Sequence, residues 1–115
     1  MIYELRCYVP HPGKMESLLA RFRDHTRALF EKHGVQNVGY WVAMATDDRP
    51  GTSGPDGELW YILGFESDEQ RKSSIAAFSA SPEWAALREA TEADGPLIAE
   101  HTIRVLRPAD FSAIR

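Results

Sequence analysis

The strongest constraint in this sequence is a change of hydrophobic period between residues 14 and 45. From Met15 to Phe30 apolar residues recur at steps of three and four, which is typical of one face of an α-helix. Gly34 follows, at a position where glycine closes a helix in a left-handed conformation at little cost. From Val38 onward the period is two, as in a β-strand. Residues 14–41 therefore predict a helix followed directly by a strand.

Three more strands and two more helices are predicted around this unit. Apolar alternation indicates strands at residues 2–9, 58–65 and 98–106. Ser67 with Gln70 forms a capping box, and Ser81 followed by Pro82 starts another helix. The order β-α-β-β-α(α)-β predicts an α+β, ferredoxin-like sandwich with a four-stranded antiparallel sheet. Strands one and three should lie in its middle, and residues 1–115 should form a single domain.

Residues 46–57 consist almost entirely of turn-forming residues and contain no large apolar side chain. We expect an exposed loop between two hairpin strands, longer than such a connection requires. It is either a mobile tip or a lid over a site.

Composition excludes several classes of function. The chain has 13 Lys and Arg against 17 Asp and Glu, a formal charge of −4, and no basic cluster. We therefore expect no nucleic-acid partner, since binding phosphates requires a basic face. We expect no membrane partner either, because no apolar segment is long enough to span a bilayer and no leader is recognisable. The single cysteine, Cys7, fits a reducing compartment, which predicts a cytoplasmic protein.

The two faces of the sheet are predicted from the alternation. The row Tyr3, Leu5, Cys7 and Val9 is the more apolar one in the first strand and is assigned to the helices. The opposite face would then carry Ile2, Tyr8, Trp41, Ala43, Trp60, Ile62 and Leu106, with Glu4, Arg6, Thr102 and Arg104 among them. A monomer rarely leaves so large an apolar patch in water. We therefore expect a homodimer in which two sheets pack face to face, with a small-molecule pocket between them.

The residues on this face suggest a chemistry. Arg6 could hold a carboxylate or enolate oxygen, and Tyr8 or His25 could move a proton beside Glu4. The predicted substrate-binding residues are Trp41, Trp60, Ile62 and Arg104. Alternatively, Glu4 and Arg6 form an ion pair that stabilises the dimer, the aromatic residues are interface packing, and His25 is a hydrogen-bonded histidine at the edge of the core.

Other kinds of site have no support in the sequence. The four histidines, His11, His25, His33 and His101, have no metal-binding spacing. No glycine-rich phosphate loop and no nucleophile elbow is present. Cys7 is better explained as a small apolar residue than as a nucleophile.

The chain resembles the NIPSNAP family along nearly its whole length. The resemblance is carried by residues 2–8 (IYELRCY), 12–14 (PGK), 32–34 (KHG), 39–41 (GYW), 81–84 (SPEW) and 108–112 (PADFS). Ser81 and Ala109 stand where the family usually has aspartate and threonine. The resemblance implies a dimeric α/β barrel. It leaves the activity open, because the wider superfamily contains cofactor-free monooxygenases, isomerases and haem-dependent enzymes, and NIPSNAP proteins have no agreed reaction.

Two functional hypotheses follow from the sequence. The first is a small cofactor-free enzyme, of monooxygenase or isomerase type, acting on an apolar or aromatic metabolite. Haem binding through a single histidine stays open under this hypothesis. The second is a dimeric ligand-binding or protein-interaction module without catalytic turnover.

Overall fold

The secondary structure follows the predicted order. The computed structural model describes all 115 residues. The elements are β1 (Ile2–Pro10), α1 (Met15–Arg21), a π-helical turn (Phe22–Thr26), α2 (Arg27–Lys32), β2 (Gln36–Ala43), β3 (Glu58–Phe65), α3 (Asp68–Ala80), α4 (Pro82–Thr91) and β4 (Ile98–Leu106). Gly34 has a positive φ of 78° after α2. Ser67 and Ser81 accept hydrogen bonds from the backbone N–H groups of Gln70 and Trp84, which confirms both predicted caps.

All four strands belong to one antiparallel sheet in the order β2-β3-β1-β4. The prediction that the first and third strands lie in the middle is therefore confirmed. The helices cover one face of this sheet and form the main core with it. The core contains eleven buried residues: Met15, Leu18, Phe22, Phe30, Val35, Leu59, Tyr61, Leu63, Phe65, Phe78 and Leu97.

The predicted orientation of β1 is wrong. Arg6 pairs directly with Tyr61 of β3, and Glu4 pairs with Leu63. Directly paired residues of antiparallel strands lie on the same face, and Tyr61 and Leu63 are core residues under the helices. Glu4, Arg6 and Tyr8 therefore face the helices, together with Ile2. The polar groups of Glu4, Arg6 and Tyr8 form hydrogen bonds with one another, and Glu4 also bonds to Arg71 of α3. These groups are therefore buried beneath the helices without losing their hydrogen-bond partners.

The other surface of the sheet is here called the open face. It carries Tyr3, Leu5, Cys7, Val9, Trp41, Ala43, Trp60, Ile62 and Leu106, with Glu58, Thr102 and Arg104 among them. Trp41 and Trp60 pair directly across β2 and β3, and Trp41 is 55% exposed. With this orientation of β1 the open face is more apolar than the sequence predicted, because Glu4 and Arg6 lie on the other side of the sheet.

The π-helical turn explains where His25 lies. A π turn adds one residue to a helical stretch and shifts the side chains that follow it around the axis. The hydroxyl of Thr26 donates a hydrogen bond to the carbonyl of Arg21, five residues earlier, at 3.2 Å. Thr26 is buried and His25 is exposed, so the predicted position of His25 at the edge of the core is wrong.

The loop 46–57 is anchored at its end. Asp56 accepts a hydrogen bond from the backbone N–H of Gly13 at 2.7 Å. A Cβ atom added to Gly54 would lie 3.1 Å from the side chain of Val9, which places this part of the loop against the open face.

Gly57 is the residue on which closure of this hairpin depends. Its φ is +82°, and an added Cβ would come within 2.3 Å of the carbonyl oxygen of Ala43. We expect Gly57→Ala to lower the free energy of unfolding by about 2–4 kcal/mol, because a left-handed conformation and a backbone clash act together. Gly13 is the matched control: its φ is +79° and nothing lies within 4 Å of an added Cβ. Gly13→Ala should therefore cost only about 1 kcal/mol. Urea unfolding compares the two variants, and equal losses would contradict the clash.

Candidate functional site

A cavity of about 580 Å³ lies between the helices and the β1–β4 half of the sheet. It is called here the helix-side cavity. Its sheet side is formed by Arg6, Tyr8, Ile98, His101 and Ile103, and its helix side includes Arg21, Phe78, Trp84, Arg88 and Glu92. The helices leave β4 incompletely covered, since Ile103 is 39% exposed and Val105 is 50% exposed. A small molecule can therefore reach the cavity along β4.

Arg6 is the central charged group on the sheet side. Its Nε donates a hydrogen bond to Oε1 of Glu4 at 2.8 Å, and its Nη2 lies 2.6 Å from the same oxygen. Its Nη1 donates to the hydroxyls of Tyr8 at 3.1 Å and Tyr61 at 3.4 Å. Burial acts to lower the pKa of Arg6, but the two tyrosines and Glu4 outweigh it and raise the pKa. Arg6 therefore keeps a positive charge at the cavity.

Glu4 connects this network to the helices. Its second carboxylate oxygen accepts a hydrogen bond from Nη1 of Arg71 in α3 at 2.9 Å. Glu4 is 2% exposed, so its charge depends on these two arginines. Arg71 also binds Asp68 at the protein surface. The predicted ion pair between Glu4 and Arg6 exists within β1, and the contact of Glu4 with Arg71 joins β1 to α3.

Tyr8 and His101 lie side by side at the cavity. They are paired across β1 and β4, and their ring centres are 6.1 Å apart in an edge-on arrangement. Because the Tyr8 oxygen accepts a hydrogen bond from Arg6, its own hydrogen is free to be donated to another oxygen. The pair thus supplies a phenol and an imidazole, two groups that transfer protons in enzymes.

Arg21 approaches the cavity from the helix side. It is the last residue of α1, and its side chain is 3% exposed. Its Nη1 donates to the hydroxyl of Thr91 at 3.2 Å and to Glu92 at 3.0 Å. Its guanidinium carbon lies 5.1 Å from the ring centre of Trp84, a distance typical of a cation–π contact.

Two further tyrosines have perturbed acidity. Burial raises the pKa of Tyr61 well above its usual value, and it also raises the pKa of Tyr40. Both effects outweigh the nearby arginines, which act in the opposite direction. Since the unfolded chain loses these protons at about pH 10, the contribution of both tyrosines to stability is fully present below that pH and decreases above it.

We expect an alkaline titration to show the raised pKa values of Tyr40 and Tyr61. The chain has four tyrosines, so at most two should form tyrosinate near pH 10 while the protein is folded. Tyrosinate absorbance followed together with circular dichroism measures this, and Tyr61→Phe should leave the absorbance change of the folded protein unaltered. Ionisation of all four tyrosines with the circular dichroism still native would contradict the prediction.

The structure separates the predicted site residues into three groups. Glu4, Arg6 and Tyr8 lie together beneath the helices. The predicted substrate-binding residues lie on the opposite side of the sheet, at the open face: Trp41, Trp60, Ile62 and Arg104. His25 lines neither surface and borders a separate shallow groove with Lys32 and Glu83, which form a surface ion pair.

Of the residues that line the cavity, only Arg6 and Tyr8 were predicted as site residues, and three of the others matter for its chemistry: His101, Arg21 and Glu92. His101 occupies the same alternating row of β4 as Ile103, which is a signal that the sequence does contain. Arg21 lies three residues after Leu18 and thus on the apolar stripe of the first helix, which is also visible in the sequence. Glu92 has no comparable signal, since it follows α4 and meets Arg21 only through the tertiary fold.

The structure lacks two other kinds of feature. No three side chains of His, Cys, Asp or Glu stand close enough together to hold a metal ion. None of the helices has the length and apolar character needed to cross a membrane.

Comparisons with known proteins give a consistent result for the fold. A NIPSNAP family protein of unknown function from Agrobacterium tumefaciens is 26% identical, covers 100% of this chain and 94% of its own, and superposes with a TM-score of 0.79. A NIPSNAP domain protein from Burkholderia xenovorans is 20% identical over 97% of this chain and 98% of its own, with a TM-score of 0.74.

A more distant structure extends the fold to other proteins. A candidate antibiotic biosynthesis monooxygenase from Nitrosomonas europaea shares 13% identity over 94% of this chain and 98% of its own, with a TM-score of 0.55, which shows the fold alone. No curated protein is significantly similar to this chain. The sequence profile of the NIPSNAP family matches residues 3–113. With a match of this length, the chain belongs to the NIPSNAP family.

Proposed function

We propose that this protein is a homodimeric, cofactor-free enzyme that acts on a small apolar or aromatic metabolite by proton transfer or oxygenation. The observation that carries the proposal is the position of Arg6. This arginine is 8% exposed, keeps its charge, and donates to a tyrosine hydroxyl at the surface of a cavity. A fixed positive charge beside groups that transfer protons is the arrangement that stabilises an enolate or phenolate.

Each residue has a role in the proposed chemistry. His101 removes a proton from the substrate, and Arg6 with the hydroxyl of Tyr8 stabilises the oxygen on which negative charge develops. Returning the proton to another carbon completes an isomerisation. In the oxygenase form of the proposal, the substrate carbanion reduces molecular oxygen and forms a C–O bond, which after protonation gives a hydroperoxide. Loss of water from the hydroperoxide then breaks its O–O and C–H bonds, so that one oxygen atom stays in the product as a carbonyl and the other leaves as water. The candidate monooxygenase from Nitrosomonas europaea has the same fold, which is compatible with this second reaction.

The helix-side cavity replaces the predicted pocket between two sheets as the proposed substrate site. The cavity combines aromatic side chains with a few charged groups, as small-molecule sites usually do. The open face carries mainly apolar side chains, and those that stay at least partly exposed include Leu5 on β1, Trp60 and Ile62 on β3, and Trp41 on β2. We therefore assign Trp41, Trp60, Ile62 and Arg104 to subunit contact.

The open face is the proposed contact between two copies of the chain. Face-to-face sheets would cover its aromatic and aliphatic side chains, and a two-fold axis makes the surface self-complementary. Light scattering should give twice the chain mass of 13.0 kDa at micromolar concentration. We also propose a cytoplasmic location, since the only thiol, Cys7, is free and buried.

The enzyme proposal is tested with small phenols and enolisable ketones as probes. Hydrogen–deuterium exchange at their carbon atoms, followed by NMR, and oxygen consumption report the two reactions separately. We expect Tyr8→Phe and His101→Asn each to lower the rate at least about 100-fold. His25→Asn is the control, because His25 lies outside the cavity, and its rate should equal that of the unchanged protein.

Two results would contradict the enzyme proposal. If the Tyr8→Phe and His101→Asn variants are folded and fully active, Tyr8 and His101 do not transfer protons in the reaction. A haem absorption band that disappears in His101→Asn, with activity that requires haem, would show that the enzyme is not cofactor-free.

The second candidate function is a dimeric binding or interaction module without turnover. It is favoured by the connection of Glu4 to Arg6 and Arg71, because the same contacts tie β1 to α3 and need no chemical role to explain them. Saturable binding of a probe in the cavity, with neither exchange nor oxygen consumption for any probe, would favour this alternative.

A further inference from the structure

Arg21 is a buried charged group whose hydrogen-bonding capacity is not used up. Its Nε is buried and has no hydrogen-bond partner, and it is the only buried side-chain nitrogen or oxygen in the chain without one. Leaving an N–H of a charged group unpaired away from water is costly. The side chain also lines the helix-side cavity. These observations indicate that the guanidinium is suited to a further acceptor.

The charges around Arg21 are not balanced. Glu92 is its only carboxylate partner, and the same Glu92 oxygen also binds Nε of Arg88 at 3.0 Å. Two arginines thus share one carboxylate on the helix side of the cavity. On the sheet side Arg6 has Glu4, and the second arginine on Glu4, Arg71, also binds Asp68, which it shares with the exposed Lys72 at the surface. Among the residues that line the cavity, Arg6 is paired with Glu4, whereas the Arg21–Arg88–Glu92 group has one more positive charge than negative charges.

The surroundings of this charge are aromatic. Trp84 packs on the guanidinium of Arg21 and also on Phe78, with ring centres 4.9 Å apart. All three residues line the cavity. A flat, apolar body would be accommodated beside Trp84 and Phe78, while an attached carboxylate would meet the arginine fork, which matches carboxylate geometry.

We infer that the ligand of the helix-side cavity is an aromatic monocarboxylic acid whose carboxylate binds Arg21. This assignment rests on the proposed function, in which the cavity is the substrate site, and it adds the chemical class of the substrate. Arg21 is a binding residue here, and the proton transfers remain with Tyr8 and His101. A single negative charge on the ligand balances the single excess positive charge of the cavity.

The inference is tested with two pairs of probes, each an acid and its uncharged amide: benzoate with benzamide, and 2-naphthoate with 2-naphthamide. Isothermal titration calorimetry on the intact protein measures both members of each pair. We expect each acid to bind at least about tenfold more tightly than its amide, because only the acid forms charge-assisted hydrogen bonds. The NMR signal of the Arg21 Nε–H group should shift with the acid and not with the amide.

Two substitutions should change the preference in opposite directions. Arg21→Gln should reduce it to within about threefold, whereas Glu92→Gln should strengthen binding of the acid several-fold, because it removes the competing carboxylate. If Arg21→Gln fails to fold, Glu92→Gln decides together with the Arg21 Nε–H signal. Glu92→Gln also frees Arg88, so tighter binding of the acid supports the inference only if that signal shifts, and tighter binding without the shift would overturn it. Arg23→Gln is the control, because Arg23 is exposed and pairs with Asp24 away from the cavity.

The outcomes separate this inference from the proposed enzyme activity. Equal affinity for acid and amide, or an acid preference that survives Arg21→Gln, would overturn the inference and leave the enzyme proposal standing. Selective acid binding without any turnover would support the inference and count against the enzyme. Binding of neither probe at millimolar concentration would overturn the inference, and turnover of an uncharged probe would then decide the enzyme proposal independently.

Discussion

Trp41→Asp should convert the proposed dimer into a folded monomer. Trp41 pairs with Trp60 on the open face and is 55% exposed in the single chain, so the substitution removes little from the core of one subunit. In the dimer the new carboxylate would be buried without a partner, at a cost of several kcal/mol. We expect the dissociation constant to rise at least about 100-fold, which corresponds to about 2.7 kcal/mol. Sedimentation equilibrium over a range of concentrations measures it.

Val42→Asp is the matched control for this experiment. Val42 is the next residue of the same edge strand and is 45% exposed, but it pairs with Leu59 and so lies on the helix side of the sheet. This variant should remain a dimer. Loss of the dimer in both variants would indicate a general effect on β2, and a persistent Trp41→Asp dimer would exclude the open face as the contact.

Arg6→Met should lower the free energy of unfolding by about 3–5 kcal/mol. The side chains of Glu4 and Arg6 are 3% and 10% exposed, and their closest atoms are 2.6 Å apart. Removing the arginine leaves the buried carboxylate of Glu4 with Arg71 as its only charged partner, and the two tyrosine hydroxyls lose their donor. Urea unfolding at one fixed protein concentration measures the loss, since dissociation of a dimer would otherwise contribute to it.

Two comparisons make this prediction specific to a buried pair. Arg23→Met removes an exposed pair, with Arg23 and Asp24 being 61% and 53% exposed, and should cost less than about 1 kcal/mol. The double variant Glu4→Leu with Arg6→Met should be more stable than Arg6→Met alone, because no buried charge is then left on β1. A loss for Arg6→Met no larger than that for Arg23→Met would contradict the buried ion pair.

The order of the elements could be predicted because it depends on local signals. Period changes located the strands and helices, and Ser67, Ser81 and Gly34 marked their ends through capping and a left-handed turn. These signals involve residues at most four positions apart. The position of β1 and β3 in the middle of the sheet then followed from the handedness of the connections.

The orientation of β1 could not be predicted in the same way. Its odd-numbered row is the more apolar one, and on hydrophobicity alone it belongs under the helices. The even-numbered row lies there instead, because Glu4 is paired both with Arg6 and with Arg71, a residue 67 positions away. A contact over that distance leaves no local pattern, so Glu4, Arg6 and Tyr8 were found as a group but placed on the wrong surface.

The helix side of the cavity could not be predicted from the sequence for a related reason. The π-helical turn adds a residue within an otherwise regular apolar stripe, so His25 is displaced outward and Thr26 inward. Arg21 is buried because Trp84, Thr91 and Glu92, from a segment about seventy residues later, surround its guanidinium. The displacement of His25 cannot be read from hydrophobic periodicity. Periodicity places Arg21 on the apolar stripe, but it does not show which residues pair with the charge.

The position of β4 has a consequence for handling the protein. This nine-residue strand forms one border of the sheet, and both of its broad surfaces are largely exposed. A long, uncovered strand border offers unpaired backbone groups to other chains, which is a common starting point for aggregation. Destabilised variants of this protein should therefore precipitate through β4 before they unfold completely. A lysine introduced at Val105, which lies on the helix side and outside the proposed subunit contact, would be the natural way to keep them in solution.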